Sequence, residues 1–214
     1  MFKQDSIILV GGGGHCKVII DIIRQKREYT IAGISDVKSS YGKIINGIKI
    51  IYNDDELESL FSQGVKFAFV SLGSISCSEK RSSLFDLIKT IGFKIPVISS
   101  VNSVISPSAK IGSGSIIMNG AIINCDTVVG ENCIINTGAI IEHECMIGDN
   151  CHVAPGVVIS GGVHVGENSH IGTGASVIQG INIGKHVLIG AGSVVVKNIH
   201  DGAKVFGVPA KEQK

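Results

Sequence analysis

The apolar positions of this chain follow two different rules, and the change between them falls close to residue 100. In the first part, short apolar runs alternate with segments of helical spacing. SIILV, at 6–10, has the length of a buried strand, and CKVIIDIIRQKRE, at 16–28, sets Val18, Ile19, Ile22 and Ile23 along one side of a 3.6-residue spiral. YTIAGISD, KFAFVSLG and KIPVIS predict further strands, while DDELESLFSQ and SEKRSSLFDLIKTIG predict helices. Strands alternating with helices imply a parallel sheet built from βαβ units.

From Ile105 the period becomes six. Ile105, Ile111, Ile117, Ile123, Val129, Ile135, Ile141, Ile147, Val153, Ile159, Val165, Ile171, Val177, Ile183, Ile189 and Val195 are all branched aliphatics, without a break. The residue two places earlier is usually small (Ala109, Ser115, Ala121, Thr127, Cys133, Ala139, Cys145, Cys151), and glycine often follows the aliphatic. One branched aliphatic in every six residues predicts a hexapeptide β-helix. Each hexad makes a short strand and a turn, and three hexads close a triangular coil. Residues 18 apart then stack at roughly the 4.8 Å spacing of paired strands. The chain is therefore expected to hold a Rossmann-like α/β domain over 1–98 and a parallel β-helix over 99–214.

Composition narrows the function classes. The formal charge is +1 and no basic tract occurs, which argues against nucleic acid or an anionic membrane as partner. The apolar run before the first glycines, Ile7 to Val10, is too short for a signal peptide, and no run approaches transmembrane length. Cysteines 16, 77, 125, 133, 145 and 151 show no CxxC spacing, so a zinc ribbon is not expected. They read as free thiols in a reducing cytoplasm, with Cys133, Cys145 and Cys151 as small inward residues of the β-helix.

Two stretches carry candidate chemistry. In the first, ILVGGGGHCKVIID, a glycine run links a strand to a helix, where backbone amides suit a phosphate or diphosphate. The run lacks the full G-x-G-x-x-G pattern, so a plain tight turn is the competing reading. Asp36, ending the second predicted strand, stands where such folds bond a ribose or base. The second stretch is Glu142-His143-Glu144, in the turn part of a hexad, with small residues Cys125 and Gly161 stacked on either side of His143. An imidazole beside a carboxylate can act as a general base, one ring nitrogen held by the acid and the other free to take a proton. A solvated polar turn is the alternative.

The run NTGAIIEHECMIGDNCHVAPGVVISGGVHVG closely resembles the active-site region of the sialic acid O-acetyltransferases and bacillosamine-type N-acetyltransferases, and the likeness extends over nearly the whole chain. The resemblance implies a left-handed β-helix, a homotrimer with active sites between subunits, and acetyl-CoA in the groove between neighbouring prisms. It implies that His143 is the base, that Glu144 orients it and that His152 contacts acetyl-CoA. Thr173, Gly190 and Ala191 would line the pantetheine groove. Gly13, Gly14, His15, Asp36 and Gly73 match the positions that hold a nucleotide-sugar, whereas Ser74 departs from the family's usual run after the third strand. The closing GVPAK (207–211) would cover part of the CoA tunnel.

The function so implied is acetyl-CoA-dependent N-acetylation of a nucleotide-linked 4-amino-4,6-dideoxy sugar, in the cytoplasm. The alternatives are O-acetylation of a sialic acid and a non-catalytic nucleotide-sugar-binding scaffold. His170 should stack on His152. The histidine spacing of trimeric β-helix carbonic anhydrases is not matched, however, and no metal is expected. His164, His186 and His200 read as solvated turn residues.

Overall fold

In the computed structural model, residues 3, 5–74 and 79–213 are described. The chain separates into two compact units, with the division between Ile98 and Ser99. Cys77, and Ser78 at the start of the third predicted helix, lie outside the described residues.

The first unit contains β1 (Ser6–Val10), α1 (Gly14–Lys26), β2 (Thr30–Ser35), β3 (Ile44–Ile45), β4 (Ile48–Tyr52), α2 (Leu57–Ser62), β5 (Phe67–Val70) and α3 (Glu79–Ile91). Its sheet runs β3-β4-β2-β1-β5, with β4, β2, β1 and β5 parallel. Every residue of β1 is buried, as its unbroken apolar run demands of a central parallel strand. Ile8 and Val10 share one core with Leu57, Leu60, Leu84, Phe85 and Ile88, contributed by α2 and α3. The chain leaves β1 towards β2 on one side, and β5 returns on the other. That reversal opens a crevice beyond the strands' C-terminal ends, the usual ligand position in such sheets.

Three details differ from the pattern-based reading. The β3–β4 hairpin was not foreseen, although Asn46 (φ 44°) and Gly47 (φ 76°) form the two-residue left-handed turn such a hairpin requires. The helix expected from Asp54 begins as a 3-10 turn over Asp54–Glu56. There Asn53 Oδ1 accepts from the Asp55 amide at 2.8 Å, and Glu56 reaches back to the Asn53 amide at 2.9 Å. KIPVIS, which contains Pro96, yields a single bridge of Lys94 to Phe67 and the short strand Ile98–Ser99.

The second unit winds as the six-residue period predicts. From Val104–Ile105 to Val194–Val195 there are sixteen two-residue strands, and each aliphatic of the register is the second residue of its strand. Partners are 18 apart, as in Ile123 with Ile141 and Ile135 with Val153. The strands form three parallel sheets, the faces of a prism. One face includes Ile116–Ile117, Ile134–Ile135, His152–Val153, His170–Ile171 and Leu188–Ile189. The next includes Ile122–Ile123, Ile140–Ile141 and Val158–Ile159, and the third Val128–Val129, Met146–Ile147 and His164–Val165.

The inward residues make one continuous core from Ile117 to Val205. Cys133, Cys145 and Cys151 belong to it, and their thiols donate to carbonyls of the next coil, those of Gly148, Ser160 and Gly166. Burial pushes the Cys145 thiol above its ordinary pKa, as suits a packing residue. His164 is not in a turn: it opens a strand and points outward, exposed. The chain ends in a strand, Lys204–Phe206, added to the first face, and the antiparallel Lys211–Glu212, so most of GVPAK forms the turn of a terminal hairpin. Among the described residues no helix is long and apolar enough to cross a membrane.

Candidate active site

His143 lies in the turn joining Ile140–Ile141 on the second face to Met146–Ile147 on the third, so its ring stands on a prism edge. Its Nδ1 is 2.9 Å from Glu144 Oε2, with both side chains more than half exposed. Of the two flanking glutamates, Glu144 is the one that holds the imidazole. The Glu142 carbonyl instead accepts from Thr127 Oγ1. With Nδ1–H donating to the carboxylate, Nε2 presents a lone pair outward.

The ring leans over Gly161. A Cβ there would come within 2.6 Å of both Cε1 and Nε2, so only glycine admits the imidazole in this pose. The backbone is pinned as well. Gly162 N–H donates to the His143 carbonyl at 2.9 Å, and Glu144 N–H donates to the Cys125 carbonyl at 2.9 Å.

His152 lies elsewhere, on the first face and nine-tenths buried. Its Nε2 is 3.0 Å from Asn136 Nδ2. The Thr137 amide donates to Asn136 Oδ1 at 2.8 Å, which fixes the amide's orientation and makes its NH2 the donor to His152. Neutral His152 therefore carries its proton on Nδ1. His170 packs against it edge to face, with centroids 4.7 Å apart and planes at 88°. Burial lowers the pKa of His170, and its buried Nδ1 has no hydrogen-bond partner among the described residues.

Thr173 and Ala191, both exposed, stack along the edge between the first and second faces, where Gly192 N–H bonds the Thr173 carbonyl at 2.8 Å. Gly190 is buried, with the Phe206 ring against its α-carbon, so Thr173 and Ala191 are the members of this set that face solvent. Among the described residues no group of three or more His, Cys, Asp or Glu could hold a metal ion.

The expected β-helix residues thus fall on two different edges. His143 and Glu144 mark the edge between the second and third faces. Asn136, His152, Thr173 and Ala191 cluster on or beside the edge between the first and second. Within one chain a whole prism face separates them.

In the first unit the glycine loop and its expected partners do meet. Gly13 caps α1 with no side-chain hydrogen bond, and no acidic residue occupies the helix's first turn. Among the described residues, nothing lies within 4 Å of where a Cβ would sit on Gly13 or Gly14. Asp36 accepts from the Gly12 amide at 2.7 Å through Oδ2 and from the Val37 amide at 2.6 Å through Oδ1. Its carboxylate therefore anchors the glycine loop, a task the sequence did not suggest. Gly73 meets His15: a Cβ at Gly73 would lie 3.1 Å from that of His15. Gly13, Gly14, His15, Asp36 and Gly73 all gather at the C-terminal ends of β1, β2 and β5. The structure adds Asn136, which the sequence reading missed because its contact with His152 bridges one coil.

Comparison with known proteins agrees with both halves. Residues 6–86 match the PglD N-terminal domain, 126–161 the bacterial transferase hexapeptide (six repeats), and 162–197 the hexapeptide repeat of succinyl-transferase. No curated protein matches the chain. Solved structures do. A variant of the perosamine N-acetyltransferase from Caulobacter crescentus, in complex with CoA and GDP-perosamine, is 36% identical over 98% of this chain and 97% of its own, with TM-score 0.93. The acetyltransferase domain of PglB from Neisseria gonorrhoeae, in complex with acetyl coenzyme A, is 33% identical over 99% and 100%, with TM-score 0.92. WeeI from Acinetobacter baumannii is 27% identical over 97% and 99%, with TM-score 0.85.

Proposed function

This chain belongs to the bacillosamine-type family of left-handed β-helix, hexapeptide-repeat sugar acetyltransferases, and from that premise we propose that it transfers the acetyl group of acetyl-CoA to the amino group of a nucleotide-linked 4-amino-4,6-dideoxy sugar. The observation that carries the proposal is the His143–Glu144 pair, a 2.9 Å contact on an exposed prism edge with the ring seated over Gly161. Two of the Caulobacter structures with CoA and GDP-perosamine are of variants in which a histidine is replaced, which fits a histidine at the centre of the reaction.

In the proposed reaction the sugar nitrogen attacks the thioester carbonyl, forming the C–N bond and an oxyanion. His143 Nε2 takes the proton released by the nitrogen. Glu144 holds Nδ1–H throughout, fixing the tautomer and stabilising the imidazolium. Collapse of the oxyanion breaks the C–S bond, and the CoA thiolate leaves with the proton from His143. The products are an acetamide and free CoA. The Gly162 amide is committed to the His143 carbonyl, which leaves Gly161 N–H as the candidate donor to the oxyanion.

Acetyl-CoA would lie along Thr173 and Ala191, with His152 and its Asn136 partner facing the thioester end. These residues and His143 sit on different edges of one prism, so a complete site draws His143 from one copy and His152 from a neighbour. A homotrimer with three such grooves satisfies this. In the first unit, the backbone amides of Gly13 and Gly14 at the α1 N-terminus suit a nucleoside diphosphate, with His15 and Gly73 flanking it. Activated sugars and acetyl-CoA as substrates fit an enzyme of the cytoplasm.

Thiol release from acetyl-CoA, assayed across UDP-, dTDP- and GDP-linked 4-amino sugars and free sialic acid, tests the reading. Saturable activity with one nucleotide-linked amino sugar is expected. Activity on sialic acid alone would replace the proposal with O-acetylation, and no activity on any acceptor would leave a binding scaffold.

A further inference from the structure

Arg81, on α3, is only 3% exposed. Burying a guanidinium is costly unless its donors are satisfied, and a Leu or Met of similar volume would fill the space more cheaply. Its Nη1 donates to the Val70 carbonyl at 2.8 Å and to the Leu72 carbonyl at 2.7 Å. These two acceptors bracket the point where β5 ends, so one nitrogen sets the path of the chain as it leaves the sheet.

Ser71, between them, ties the same segment to the other side of the crevice. Its amide donates to the Val10 carbonyl at 2.7 Å and its Oγ to the Gly11 carbonyl at 2.6 Å. The packing is close: a Cβ on Gly11 would lie 3.0 Å from the Leu72 nitrogen. One residue further on, Gly73 meets His15. Residues 71–73, just after β5, are thus clamped from behind by α3 and stitched in front to the glycine loop.

We propose that Arg81 is a positioning residue for the nucleotide-sugar site, holding residues 71–73 after β5 so that Gly73 closes on His15 beside Gly13 and Gly14 at the α1 N-terminus. The proposal rests on reading that loop pair as the nucleotide-sugar cradle. Arg81 acts through the backbone, and its positive charge, fixed behind the loop, favours the diphosphate as well. No part of this role involves acetyl-CoA, and that separates it from simple structural support.

The test measures binding of UDP, GDP and dTDP by calorimetry, together with KM for both substrates, for wild type, Arg81→Gln, Arg81→Lys and Ser71→Ala. In Arg81→Gln the affinity for whichever nucleoside diphosphate the wild type binds should fall roughly tenfold, as expected for loss of hydrogen bonds to a charged donor, with the same factor in the nucleotide-sugar KM. The acetyl-CoA KM and the kcat at saturation should stay within about twofold of wild type. Arg81→Lys should recover part of the loss, and Ser71→Ala should weaken nucleotide binding about threefold. A folded Arg81→Gln with unchanged nucleotide affinity, or with equal losses for both substrates, would overturn the proposal. Should Arg81→Gln not fold, Arg81→Lys and Ser71→Ala decide, and unaltered nucleotide binding in both rejects it. A wild type that binds none of the three diphosphates would remove the cradle reading itself, and the proposal with it.

Discussion

Glu144 sits at φ 57°, in the left-handed region, where one coil away its stacked equivalents are Asp126 and Gly162. Left-handed backbone costs a non-glycine residue about 1 kcal/mol, and a long side chain offers no local compensation. What the glutamate gains there is reach to His143 Nδ1. Glu144→Gly should therefore keep or raise the melting temperature while kcat falls by about 10- to 100-fold with KM little changed. Thermal scans and steady-state kinetics on one preparation check this, and a parallel fall in stability would make the glutamate structural. Gly161→Ala should leave the circular dichroism spectrum intact but displace the ring, lowering kcat by about 100-fold. At this scale legibility followed sequence distance. Glu142 and Glu144 both adjoin His143, so a His–Glu pair could be read directly, while the choice of Glu144 came from the resemblance. The Asn136–His152 bond spans 16 residues and shows only once the register places residue 152 above residue 134.

The prism was legible because a six-residue period leaves little freedom. One aliphatic per strand must point inward, and every member from Ile117 to Val195 is buried. Ile141→Ala should cost about 2–5 kcal/mol of unfolding free energy, whereas Met146→Ala, on the outer surface of the next strand, should cost under about 0.5 kcal/mol; denaturant titration separates them. The first unit was less legible. Its β3–β4 hairpin carried an Asn-Gly signal inside a stretch without strict alternation. In the second unit, the contact of Gly190 with Phe206 lies 16 residues on and was not readable from the period. His170 adds a pH effect to its face. The unfolded chain protonates this residue below about pH 6.5, while burial keeps it neutral in the folded chain to lower pH. The unfolded state then binds more protons, so stability falls as pH drops below that point. In His170→Phe the fall in melting temperature between pH 7 and pH 5 should be shallower than in wild type. An identical slope would show that the imidazole does not contribute.

For the whole molecule the consequential feature is the separation of His143 from His152 by a complete prism face. On the proposed assignment of both histidines to one thioester, each site takes them from two copies, and catalysis and assembly become the same question. The sequence resemblance implies sites between subunits, and the assignment of the two histidines to different edges of the prism supports that reading. Subunit mixing tests this directly. His143→Ala and His152→Ala should each be nearly inactive alone, since each spoils every site. When equimolar amounts are unfolded together and reassembled at random, about one interface in four should pair an intact His143 with an intact His152 from the neighbouring copy. The account predicts recovery of roughly a quarter of wild-type activity in the mixture. No recovery from two correctly assembled variants, or full activity of either variant alone, would contradict it.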